Sequence, residues 1–75
     1  MNKDRRNRIS KLITLLDGIH DSLQGILDEE QDYLDNMPEN LQNSIRGMDS
    51  EEAISALEDA VSSLEEAVES LNQIN

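Results

Sequence analysis

The final third of the chain repeats itself three times. Residues 52–58, 59–65 and 66–72 read Glu-Ala-Ile-Ser-Ala-Leu-Glu, Asp-Ala-Val-Ser-Ser-Leu-Glu and Glu-Ala-Val-Glu-Ser-Leu-Asn. Each block carries a β-branched residue (Ile54, Val61, Val68), a leucine three places later (Leu57, Leu64, Leu71) and an alanine just before (Ala53, Ala60, Ala67). A seven-residue apolar period matches a helix and not a strand, whose faces alternate every second residue. β-Branched a positions with leucine at d form a coiled-coil seam. A rod of this kind cannot bury its own stripe, so a partner helix is required.

The first half of the chain supplies one. Ile9, Leu12, Leu16, Ile19, Leu23, Ile26, Glu30, Tyr33 and Met37 step by three and then four, the a and d positions of a second heptad series. Ile13, His20, Leu27 and Leu34 add a stripe at e. The apolar face is therefore about three positions in seven, wider than a two-stranded seam uses. The spacing predicts a first helix over about residues 4–35. Pro38 ends it, because proline disfavours helical geometry at the preceding Met37. Pro38 then opens a short helical turn over 38–46, with Asn36 or Met37 near its cap, and Gly47 stops that turn. A second helix over about residues 49–74 begins at a capping box of Asp49 and Glu52.

The fold expected is all-α, one domain over residues 1–75. Two long helices fold back as an antiparallel hairpin around a linker of residues 36–48. One hairpin cannot bury the whole stripe of the first helix, so hairpins are expected to assemble as a homo-oligomeric helical bundle, dimer first. The expected interface is Ile9, Leu12, Ile13, Leu16, Ile19, Leu23, Ile26, Leu27 and Leu34. The size agrees: at 75 residues, with no cysteine and Tyr33 as the only aromatic residue, a single small core is marginal on its own.

Charge is partitioned along the chain. Lys3, Arg5, Arg6, Arg8 and Lys11, with Asp4, give the first eleven residues a net +4. The rest holds sixteen acids against Arg46, or −15. Bases at the start of a helix and acids at its end (Asp28, Glu29, Glu30, Asp32, Asp35) both oppose its dipole. The simplest compensation lies within the hairpin, where Glu65, Glu66 and Glu69 would await the basic head. The alternative is an anion site in which Arg5, Arg6, Arg8 and Lys11 grip a small phosphorylated ligand. The net charge of −11 argues against direct DNA binding. The acidic body reads as a solvated face, or as an imitation of duplex phosphates that occupies a DNA-binding protein.

Around the Pro38 bend, Tyr33, Asn36, Asn40, Gln42 and Arg46 offer a phenol, amides and a guanidinium. They suit helix capping or ligand contact. Glu30 sits at an a position, either wet beside the linker or paired with a base such as Arg46. Gly18 and Gly25 share one line along the first helix, as tolerated defects or as a place of close approach. His20 reads as a bundle-edge residue, since a lone histidine is a poor metal ligand set. No nucleophile has a base in reach of its sequence context. There is no glycine-rich phosphate loop, and DEEQDYLD lacks calcium-loop spacing. The chain is therefore read as non-enzymatic, without cofactor or metal. No apolar run approaches a membrane span and no signal-type stretch follows the basic start, so a cytoplasmic location is expected.

The run EEQDYLDNMPENLQ, residues 29–42, resembles a segment of small acidic helical proteins from phages and prophages of Gram-positive bacteria. Those proteins share the basic first turn and a closing stretch like EEAISALEDAVSSLEEAVESL. The resemblance implies an accessory binding protein that blocks or sequesters a host component, acting against host defence, in the host cytoplasm. Two further expectations stand beside it. One is a nucleotide-signal sponge using the basic head and linker of an oligomer. The other is a purely structural bundle.

Overall fold

The computed structural model describes all 75 residues. The chain forms α1 (Lys3–Asp35), α2 (Glu39–Gln42) and α3 (Ile45–Asn72), with no strand. α1 begins at Asn2, whose Oδ1 accepts the Arg5 amide at 2.8 Å and so satisfies one of the free N–H groups of the first turn. It ends at Asn36, whose side-chain amide donates to the Asp32 carbonyl at 2.8 Å. The first helix thus keeps the bounds its periodicity predicts, to within a residue.

The linker differs from the sequence reading in three ways. The short helix is one turn, Glu39–Gln42, rather than 38–46, and Pro38 itself occupies its cap position. α3 starts at Ile45, four residues before Asp49. Ser44 is the cap: its Oγ accepts the Gly47 amide at 3.4 Å and its hydroxyl donates to the Leu41 carbonyl. Gly47 is therefore inside the first turn of α3 and terminates nothing. No residue in the chain has a positive φ, so the left-handed stop expected there is absent. Asp49 and Glu52 lie within the helix body. Serine and aspartate are comparable caps, and local pattern cannot say which one the chain uses.

α3 runs back along α1, and three contacts fix the register. Ser50 Oγ donates to Glu30 Oε1 at 2.8 Å, His20 Nε2 meets Glu65 Oε1 at 3.1 Å, and Asn75 Nδ2 donates to Ser10 Oγ at 2.8 Å. The result is a rod of 58 × 14 × 13 Å. No helix is long and apolar enough to cross a membrane.

Burial shows which stripe of α1 the hairpin uses. Ile9, Ile13, Leu16, His20, Leu23, Leu27, Glu30 and Leu34 are half-buried and Met37 is buried, stepping by four and then three. These are the a and e positions. On α3, Ile54 and Val61 are buried, and Leu57, Leu64, Val68 and Leu71 are half-buried. The core is tightest near the linker, at Met37, Ile54, Val61 and Ser50, and loosens toward the termini. Glu30 resolves its two readings in neither way. It is half-buried and held by the Ser50 hydroxyl, not by Arg46.

The d positions of α1 stay outside. Leu12, Ile19, Ile26 and Tyr33 are 52%, 50%, 50% and 47% exposed, with Leu15 beside them at 63%. Of the nine residues expected at an oligomer interface, Ile9, Ile13, Leu16, Leu23, Leu27 and Leu34 are thus partly covered by α3. Leu12, Ile19 and Ile26 are the outward ones.

Candidate functional site

Three clefts mark the rod, one at each end and one in the middle. The linker cleft, about 420 Å³, is bounded by Tyr33, Asn36, Met37, Pro38, Leu41 and Arg46. Pro38 turns the chain so that the end of α1 and the start of α3 face each other across α2. Three of the residues singled out from sequence, Tyr33, Asn36 and Arg46, therefore meet at one place. Gln42 does not join them. Its amide donates inward to the Met37 carbonyl at 3.0 Å and to the Leu34 carbonyl at 3.5 Å, tying α2 to the end of α1. Asn40 is exposed on α2 and lines no cleft.

The head cleft, about 260 Å³, lies between Met1, Arg5, Arg8, Ile9 and Leu12. Arg6 and Lys11 are exposed outside it. The compensation expected from Glu65, Glu66 and Glu69 does not occur. Arg8 pairs only with Asp4, at 3.2 Å within the same helix, and no other base of the head makes an ion pair. The reason is register. Glu65 lies beside His20, and Glu69 lines the same cleft as Asp17, so these acids stand further along α1 than Lys11. What reaches the head is the C-terminal Asn75, whose side-chain amide donates to Ser10 Oγ at 2.8 Å and to the Arg6 carbonyl at 3.4 Å.

Head and linker clefts are separated by most of α1, about 40–45 Å at 1.5 Å per residue. One chain cannot offer both to a single small ligand.

The middle cleft, about 410 Å³, was not legible as a site. Asp17, His20, Glu65, Val68, Glu69 and Asn72 line it. His20 bridges the helices. Nε2 contacts Glu65 at 3.1 Å and Nδ1 contacts Asp21 at 3.5 Å. Hydrogen bonding to Glu65, then to Asp21, holds its pKa above the usual value of 6.5. The histidine is thus a seam residue with an acidic clamp. No three metal-binding side chains converge there or elsewhere.

The raised pKa fixes a pH dependence. A group with a higher folded pKa adds stability below its unfolded pKa and loses it as pH rises through the folded value. The hairpin is therefore expected to lose thermal stability as pH rises above about 6.5, and His20→Gln to flatten that slope. The wild-type curve minus the variant curve isolates the contribution of the histidine. Parallel curves would remove His20 from the effect.

No protein-family model, curated protein or solved structure matches this chain.

Proposed function

We propose that the chain is a non-catalytic binding protein of the phage accessory type, which blocks a nucleic-acid-binding protein of its host. The carrying observation is the outer surface of α3. Asp49, Glu51, Glu52, Glu58, Asp59, Glu65, Glu66 and Glu69 are all exposed, and Arg46 is the only base in that helix. Acids along a rigid rod set up a field that attracts a basic groove and competes with phosphate for it. Affinity capture from host lysate, run in parallel with a Glu58→Lys/Asp59→Lys/Glu66→Lys variant, tests this. A basic partner that elutes with added salt and is lost with the variant is expected. A partner that binds the variant equally well refutes the acidic-surface mechanism.

A second reading rests on the linker cleft. Tyr33 provides a stacking face, Asn36 an amide and Arg46 a phosphate-binding fork, the elements a nucleotide signal needs. Ligand held there stabilises the fold by mass action. Thermal shift with cyclic di- and oligonucleotides is expected to raise the melting temperature of the wild type and not of Arg46→Ala. No shift with any of them ends the sponge reading.

A further inference from the structure

The hairpin leaves Leu12, Leu15, Ile19, Ile26 and Tyr33 on one outward line of α1. Monomeric soluble proteins rarely leave so long an apolar strip in water. We infer that this strip is the interface with a second copy of the chain, packed antiparallel, with the two-fold axis beside Gly18 and Ile19.

Register and charge both select that arrangement. The exposed d positions are 5, 12, 19, 26 and 33, symmetric about Ile19. The neighbouring g positions are 8, 15, 22 and 29, symmetric about a point between Gly18 and Ile19. Antiparallel pairing thus sets Ile19 against Ile19 and Leu12 against Ile26. Leu15 falls opposite the small Ser22. At each end Arg8 meets Glu29, and Arg5 meets Tyr33 and Asp32 of the second copy. The basic head, net +4, then lies beside the five acids of residues 28–35, which no base of α3 neutralises. A parallel pair would put Arg8 on Arg8 and Glu29 on Glu29. The two helix dipoles also favour this arrangement, since antiparallel helices set the positive end of one beside the negative end of the other.

The pairing runs from position 5 to position 33, about 42 Å, and at about 10 Å wide covers roughly 400 Å² per copy, or about 800 Å² in all. That is a small interface, so the charge pairs at its two ends, more than its area, select this arrangement. The contact is isologous and closes on itself, so assembly stops at two copies. It leaves the acidic outer face of α3 free, as the blocking reading needs. It also brings Arg5 and Arg8 of one copy to the linker cleft of the other, joining two half-sites that one chain holds apart. The inference rests on the apolar strip and the charge pattern, so loss of partner or nucleotide binding leaves it standing.

Size-exclusion chromatography with light scattering tests the copy number. The full chain is expected at about 17 kDa, twice its 8.5 kDa. Ile19→Asp, which buries two carboxylates at the axis, is expected to elute as a helical monomer by circular dichroism. Ile19 is half exposed in the single hairpin, so the fold survives. A wild-type mass of one copy, or of more than two, overturns the inference. Orientation is read separately, because the chain has no cysteine of its own. With a short bismaleimide, Ile19→Cys is expected to cross-link to itself. Leu12→Cys is expected to link only when mixed with Ile26→Cys, since two Leu12 sites lie about 21 Å apart along the axis. Self-linking of Leu12→Cys overturns the antiparallel arrangement.

Discussion

Gly47→Ala is expected to destabilise the hairpin by about 3 kcal/mol, the upper range for forcing volume into a packed site. A Cβ at position 47 would stand 2.0 Å from the Gln42 carbonyl oxygen, 2.5 Å from its carbon and 2.8 Å from its Cα. These are backbone atoms and cannot rotate away. Gln42 is held besides by its side-chain hydrogen bonds to Met37 and Leu34. Relief requires the start of α3 to separate from α2, which breaks the Ser44 cap. For a domain of this size the melting temperature should fall by about 12 °C or more. The same substitution at Gly18 and Gly25 has the opposite sign. Nothing lies within 4 Å of a Cβ at either position. Alanine there removes the entropy that glycine loses in a helix and should stabilise by up to about 1 kcal/mol each. Urea melts at fixed protein concentration check all three. A Gly47→Ala midpoint equal to wild type would refute the close approach.

The second large effect is expected at Ile54. It is 6% exposed and belongs to a core in which only Met37, Ile54 and Val61 are buried apolar residues. Ile54→Ala removes buried methyl and methylene groups and leaves a cavity, a loss of about 3 kcal/mol. The whole domain is expected to have only about 4–11 kcal/mol. Val68 holds the same heptad position two repeats on and is only half-buried. Val68→Ala should therefore cost much less, under about 1 kcal/mol. Equal losses at the two positions would mean that the hairpin is packed uniformly and does not loosen toward its termini.

These two sites separate what each level of information contains. The three heptads and the wide stripe of α1 made two helices and their antiparallel pairing readable, because a period near 3.5 has one structural solution. They also made the excess apolar width visible. They could not say which stripe the hairpin would take. Sequence treats a with d and a with e as equally continuous, and only the rotation of α1 against α3 decides. That rotation half-covers Ile13, Leu27 and Leu34 and leaves Leu12, Ile19 and Ile26 outside.

The site followed the same division. That the linker residues Tyr33, Asn36 and Arg46 converge follows from one proline and a short loop, so it was legible. The inward turn of Gln42 was not, because an amide serves a backbone carbonyl or a ligand with the same atoms. The acidic clamp on His20 was missed because Glu65 is 45 residues away in sequence.

By itself, then, the sequence determined an all-helical hairpin with a basic head, an acidic body and one apolar stripe too many. The tertiary structure decided the rest by two geometric facts. The rotation of α1 selects the stripe left for a partner. The register of α3 along α1 sets Glu65 and Glu69 beside His20 and Asp17, out of reach of the basic head they were expected to neutralise. Both depend on how two rigid rods are set side by side, and heptad periodicity, which repeats identically along each rod, carries no record of either.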